Sequence, residues 1–95
     1  MPAVTRLGDN CAGHGCWPPR PNNQASPNVF VNGIAVHRQG DGWAVHCCGP
    51  SCHAGNLATG SSTVYVNGKQ CGRIGDPVNC GSTVAEGSPN VFAGG

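Results

Sequence analysis

The tetrad Arg-x-Gly-Asp occurs three times in 95 residues, as RLGD at 6–9, RQGD at 38–41 and RIGD at 73–76. A repeat of this kind constrains the fold before any element is assigned, because a unit of roughly 20–50 residues cannot bury its own apolar face and must stack on its copies. A second element keeps step with the first. SPNVFVNG (26–33), SSTVYVNG (61–68) and SPNVFAGG (88–95) each read as a short strand with alternating apolar residues and a turn signal at the end. In the first two copies the turn is Asn-Gly, which suits a type I′ turn because both central positions need positive φ. Hairpins follow, with Val31 opposite Ile34, Val29 opposite Val36, Val66 opposite Lys69 and Val64 opposite Cys71.

Each return strand runs into a tetrad, where Gly permits a sharp corner and Asp can accept backbone N–H groups across it. Three of the four acidic residues and three of the five basic ones belong to the tetrads. Arg–Asp pairing, or paired backbone contacts, at three equivalent corners is therefore the expected role. The first copy holds only the return half, AVTRLGD, and the third only the outgoing half, SPNVFAGG. Joined, they complete a third hairpin. Three units around one axis, with the ends of the chain adjacent, also leave no free sheet edge within the ring.

These signals predict a single all-β domain over residues 1–95, a small three-sided β-prism of pseudo-threefold hairpin repeats. Sixteen Gly, eight Pro and five aromatics, with no sustained helical periodicity, agree with that class. MPAVTRLGD lacks the apolar core of a signal peptide, and no run of about 18 apolar residues is present, so the chain is expected to be made in the cytosol and to stay soluble there. Seven Cys is an odd number for a reducing compartment and favours metal ligation over a disulfide framework. A net charge of +1 gives no pull toward nucleic acid.

Between each tetrad and the next Ser-x-x-Val strand lies a loop: residues 10–25, 42–60 and 77–87. All three are expected at one end of the prism. His14 and His46 stand five residues past Asp9 and Asp41, while His53 and Cys80 stand eight before Ser61 and Ser88. Pseudo-threefold symmetry brings these four together as one tetrahedral His₃Cys zinc site, with Zn–N near ~2.0–2.1 Å and Zn–S near ~2.3 Å. Within HCCGPSCH (46–53), His46 and His53 are the expected ligands and the cysteines are read as packing or structural residues. Cys47 or Cys52 in place of one histidine, and Cys11 or Cys16 in the first loop, stand as alternative ligands. A vicinal Cys47–Cys48 disulfide would be strained, and Cys71 reads as a small buried thiol in a hairpin strand. His37, where Thr5 and Gly72 stand in the other copies, is expected on the strand surface. WPPRP (17–21) reads as a stiff brace, with Trp17 and Trp43 covering the loops.

AVTRLGD, AVHRQGD and QCGRIGD together with GSSTVYVNG and GSPNVFAGG resemble the PAAR-repeat proteins over essentially all 95 residues. No copy holds a literal Pro-Ala-Ala-Arg tetrad, and Ala25 stands where the family has Gly. The resemblance implies a small cone whose broad base caps a trimeric β-helical spike, VgrG-like or the central spike of a phage, in a type VI secretion system or contractile phage-like tail. It also implies one chain per trimer and a sharp tip ordered by zinc, or by iron, held by three His and one Cys. Assembly would take place on the spike in the cytoplasm, with membrane contact only transient on piercing, delivery outside the cell or residence at a virion tail tip, and effector cargo as a further passenger. A metallohydrolase would need an open coordination position and a general base, but four protein ligands fill the site and Glu86 is the only acid outside the tetrads. A zinc-ribbon nucleic-acid module would need CxxC knuckles and a basic face. The sequence offers neither, so the expectation is a structural protein and not an enzyme.

Overall fold

The computed structural model describes residues 1–95 and is built of strands, turns and bridges with no helix. Six strands form three antiparallel pairs: β1 (Phe30–Val31) with β2 (Ile34–Ala35), β3 (Gly42–Cys48) with β4 (Ser51–Asn56), and β5 (Tyr65–Val66) with β6 (Lys69–Gln70). The first and third pairs are the expected hairpins, with Val31 opposite Ile34 and Val66 opposite Lys69. Their turns carry φ of 56° and 75° at Asn32-Gly33 and 55° and 77° at Asn67-Gly68, the left-handed values a type I′ turn needs. The Val36 and Cys71 amides continue the pairing to the Val29 and Val64 carbonyls, each at 3.0 Å. Residues from the two ends of the chain make the third copy: the Val4 amide donates to Val91 O at 3.0 Å, and Ala3 bridges Phe92.

A ring of backbone hydrogen bonds ties the three units around one axis. Thr5 N donates to Gly72 O (3.0 Å), Gly72 N to His37 O (2.9 Å) and His37 N to Thr5 O (3.2 Å). Bridges Arg6–Val36, Arg38–Cys71 and Val4–Arg73 repeat the same relation one residue out on either side. The three return strands thus cross at the axis and each satisfies its neighbour's polar backbone. His37 therefore does not sit on a strand surface: it is fully buried, 0% exposed. The strands approach so closely at the axis that its counterpart must be Gly72, where a Cβ would lie 2.9 Å from His37 O, the Thr5 methyl and a Leu57 methyl.

The tetrads are the corners. In each, the Asp amide donates to the Arg carbonyl (3.0, 2.9 and 3.1 Å), and one Asp oxygen accepts the Arg amide (2.8, 2.9 and 2.8 Å). The tetrad glycines have φ of 88°, 86° and 90° with open space around them, so backbone conformation and not room dictates Gly there. Arg–Asp ion pairs close the corners at 3.2 Å (Arg6–Asp9), 2.8 Å (Arg38–Asp41) and 2.9 Å (Arg73–Asp76). Each guanidinium then reaches a hairpin turn: Arg6 to Asn32, Arg38 to Asn67 and Arg73 to the Gly94 carbonyl. The Ser-x-x-Val strands lock onto the same turns. Ser26, Ser61 and Ser88 each cap the amides two and three residues ahead and donate to Asn67, Gly94 O and Asn32, respectively.

Two small apolar clusters result. Val4, Val36, Cys71, Val66 and Ala93 fill the hairpin end. Cys71 takes a place that is Val in the other two units, and burial pushes its thiol up to about 11, as suits a packing residue. Cys11, Trp43, Leu57, Val78 and Val84 fill the loop end. The whole measures 37 × 24 × 22 Å, one long axis and two nearly equal short ones.

The corners share their chemistry but differ in solvation. Side chains of Arg38 and Asp41 are 9% and 0% exposed, while those of Arg6 and Asp9 are both 15% exposed. Asp41→Ala strands a buried guanidinium and is expected to cost about 3–5 kcal/mol. Asp9→Ala is expected to cost less, because water can reach Arg6. Equal midpoints for the two variants in urea denaturation would contradict this ranking.

Burial holds the His37 pKa below its ordinary value, against the raising effect of the hydrogen bond to Gln24 O. That bond, 2.7 Å from Nδ1, fixes the proton there and leaves buried Nε2 without a partner. A second proton has no acceptor. The unfolded chain binds one below pH ~6.5 while the folded chain does not, so this contribution to stability is full above pH ~6.5 and is lost as pH falls toward the lower folded value. His37→Gln, which keeps a donor for Gln24 O, should flatten the stability decline between pH 7 and 5 relative to wild type.

Candidate metal centre

The loop of residues 42–60 is itself mostly a hairpin, longer than the other two. β3 and β4 turn at Gly49-Pro50 and pair His46 with His53, Cys47 with Cys52 and Cys48 with Ser51. Residues 43 and 46 would face opposite sides of a regular strand. The register shifts between them, and this irregularity lets both Trp43 and His46 point into the molecule. His14 comes from a tight turn in the first loop, where its amide donates to Trp17 O (3.0 Å) and the Trp17 amide donates back to His14 O (2.8 Å). Cys80 lies in the short third loop, within a turn closed by the Gly81 amide on Val78 O (3.0 Å).

His14, His46, His53 and Cys80 converge, with one donor atom from each and all four atoms within 4.8 Å of one another. His53 Nε2 lies 2.7 Å from His46 Nε2 and 3.1 Å from His14 Nε2, and Cys80 Sγ lies 4.0 Å from His46 Nε2. A tetrahedral ion with Zn–N near ~2.0–2.1 Å sets its nitrogen ligands about 3.3 Å apart. Loading therefore asks only for small side-chain shifts. His46 Nδ1 donates to Pro18 O at 2.8 Å, which fixes the tautomer and turns a bare Nε2 lone pair toward the cluster. One N–H among three imidazole nitrogens aimed at one point can serve one partner well but leaves lone pairs facing each other, and a cation between them satisfies all three at once. Desolvation, then the charges of His46, His14 and Arg20, lower the His53 pKa and favour the neutral, ligating ring.

Arg20 was not singled out by sequence reasoning, yet it organises the sulfur side. It is buried, with Nε donating to Ala44 O (2.7 Å), Nη1 to Cys11 Sγ (3.0 Å) and Nη2 to Cys80 Sγ (3.3 Å). Its guanidinium carbon lies 5.5 Å from the Trp43 ring centroid. Gly55 makes the approach possible, since a Cβ there would lie 3.0 Å from Arg20 Nη2 and 3.3 Å from Cys80 Sγ. The readable signal was that Arg20 is the one arginine outside the tetrads. At Cys11, burial works to raise the thiol, but hydrogen bonds from Ser82, Arg20 and the Gly13 backbone outweigh it and hold it below its ordinary range.

Trp17 covers the centre, stacking on His14 (5.0 Å between centroids) and His53 (4.9 Å) and donating from its indole to Ser51 O at 3.0 Å. Trp43 is a core residue instead of a cover. The alternative ligands lie elsewhere: Cys11 behind Arg20, Cys47 and Cys52 on the hairpin face away from His46. Nor are the remaining cysteines spare. Cys16 pairs with Cys48 and Cys47 with Cys52 as disulfides, with Cα separations of 5.3 and 4.1 Å.

Residues 12–86 match the PAAR motif family. Among curated proteins, the chain is 38% identical over 78 residues to the NAD(P)(+) glycohydrolase toxin Tse6 and, equally, to the (p)ppApp synthetase toxin Tas1, both of Pseudomonas aeruginosa. Each match takes in 76% of this chain and 18% of the toxin. The Double-stranded DNA deaminase toxin A of Burkholderia cenocepacia is 31% identical over 71 residues, 70% of this chain and 5% of that protein. The chain therefore spans less than a fifth of the length of these relatives. With the family model matched over residues 12–86, well over half of its length, this chain belongs to the PAAR motif family.

Proposed function

We propose that this chain is the tip that caps the trimeric β-helical spike of a contractile injection machine, one chain per trimer, with one structural zinc ordering its apex. The observation that carries the reading is the closed threefold ring: one monomer presents three equivalent hairpins, so a single copy can meet all three subunits of a trimer at once. Around the hairpin end, Phe30, Tyr65 and Phe92 occupy the same place in the three repeats and stay 58%, 57% and 51% exposed. Exposed aromatics at matching positions are what an interface core requires. The few charges outside the corners offer little steering, which leaves shape and apolar burial to supply affinity.

The three relatives bear the names of toxins with unrelated chemistries, yet resemble this chain over only a small share of their length. A module common to a glycohydrolase, a synthetase and a deaminase supports a role in carriage or delivery over one in catalysis. It also supports placing this chain on a secretion apparatus that launches cargo toward target cells. The donor set agrees. Three imidazoles and a thiolate complete a tetrahedral shell, which is the pattern of a structural zinc with no position left for substrate.

Elemental analysis should find one zinc per chain, reduced by His14→Ala, His46→Ala, His53→Ala or Cys80→Ala. Arg20→Gln, which leaves all four donors, should keep the stoichiometry and weaken affinity by about 10–100-fold in competition with a chromophoric chelator. Two metals per chain, or none, would refute the site.

Mixing with a purified spike trimer should give one chain per trimer by light scattering. A Phe30→Asp, Tyr65→Asp, Phe92→Asp triple variant should keep its zinc and its fold but lose capping. Three chains per trimer would reject the symmetry argument, and normal capping by the folded triple variant would reject this face. Gly33 and Gly68 make poor test positions, since any side chain there is strained by the positive φ.

A further inference from the structure

The four paired cysteines all sit at the loop end, and strand alternation divides them into two functionally different pairs. On β3, His46 and Cys48 point to one face and Cys47 to the other; across the hairpin, His53 shares the face of His46, and Cys52 that of Cys47. Four cysteines so arranged cannot converge on one ion. The Cys47–Cys52 bond lies within a single hairpin and on the face away from the metal centre, where it joins strands already paired. The Cys16–Cys48 bond lies on the metal-facing side and joins the first loop to the tip of the second, across 32 residues of sequence.

That second link duplicates the one the metal makes. Cys16 stands two residues after His14, and Cys48 two after His46. Disulfide and metal therefore cross-link the same two segments, side by side. Cys16, Cys47 and Cys52 are exposed and Cys48 is half-buried, while Cys11 and Cys71 are buried and unpaired.

We infer that Cys16–Cys48 is an oxidative modification site, a clasp that presets the His14-bearing loop against the β3–β4 hairpin so that the oxidised chain holds its metal more tightly than the reduced one. The effect on affinity rests on the zinc reading above; the clasp does not. Closure is thiol–disulfide exchange with a low-molecular-weight disulfide such as oxidised glutathione. One cysteine thiolate attacks it, expels one glutathione thiolate and forms a mixed disulfide; the second cysteine displaces the other glutathione. Two protein thiols give up two electrons and two protons, and one external disulfide becomes two thiols. A chain assembled where thiols stay reduced would carry the clasp open and close it on reaching an oxidising compartment. Reciprocity requires that bound metal resist reduction of the clasp by the same factor by which the clasp tightens the metal.

The test uses the full chain, wild type beside Cys16→Ser and the double variant Cys47→Ser, Cys52→Ser, each prepared with oxidised and with reduced glutathione. Peptide mapping should find the 16–48 link in wild type and in the double variant. Zinc titrated against a chelator should bind oxidised wild type and the oxidised double variant more tightly than their reduced forms, by about 5–150-fold, with no such difference in Cys16→Ser. In zinc-free protein, hydrogen exchange at the His14 and Trp17 amides should slow on oxidation in the first two and not in Cys16→Ser. No 16–48 link, equal exchange in both redox states, or a second zinc taken up only by the reduced chain and lost with Cys16→Ser would overturn the clasp. Protected amides without zinc binding in either state would uphold the clasp and reject the zinc reading instead.

Discussion

Three backbone hydrogen bonds passed around a triangle, Thr5 to Gly72, Gly72 to His37 and His37 to Thr5, are the constraint on which the molecule depends. A chain with only two clusters of five buried apolar residues has little apolar core to hold it together. What it has is closure. Each return strand gives its polar groups to the next, so strands of two residues survive that would be unstable as isolated hairpins. The corners extend the same logic outward. An Arg–Asp pair that closes its own turn also reaches the turn of another unit, so local geometry and global closure are specified by the same four residues.

Symmetry ends at the loops, and that is where the chemistry lies. A strict threefold would supply three identical residues, whereas the candidate donor set takes two from the second loop and one from each of the others. The extra ligand comes from the long hairpin: its two-residue turn brings His46 and His53 face to face, and the register shift after Trp43 keeps both the indole and the imidazole inside. Arg20 then bridges the sulfurs of Cys11 and Cys80, joining the apolar cluster beneath the tip to the metal centre.

Much of this was legible because it is periodic. Counting from Asp9 and Asp41, and back from Ser61 and Ser88, placed His14, His46, His53 and Cys80 in register without any tertiary information, since equivalent offsets in a closed ring are equivalent places in space. Asn32-Gly33 and Asn67-Gly68 declared their hairpins through backbone chemistry alone. Features that escaped are those where the repeats differ. His37 looked like a surface residue because strand alternation says nothing about an axis at which three strands cross, so closely that one of the three residues there must be glycine. Gly49-Pro50 was itself a turn signal; taken as such, it pairs 46 with 53, 47 with 52 and 48 with 51, and the cysteine faces follow. Arg20 sat in a proline-rich segment that reads as exposed, and nothing local reveals that a guanidinium there will be buried between two thiols.

The two ends of the molecule are thus held by different means, with a functional consequence. At the hairpin end, stability comes from backbone closure and ion pairs repeated three times, none of which depends on a loop cross-link. At the loop end it comes from cross-links, each of which can be removed singly: disulfides worth about 2–4 kcal/mol each and, at the four-donor cluster, the proposed metal, worth on the order of 10 kcal/mol where one organises a small fold. Those values are large against the ~5–15 kcal/mol net stability of a domain. Loss of the metal should therefore loosen the apex while the ring at the axis, whose bonds involve no loop residue, remains closed. In the proposed cap, the base must stay matched to its partner whatever happens at the point, and placing every removable bond at the point secures that separation.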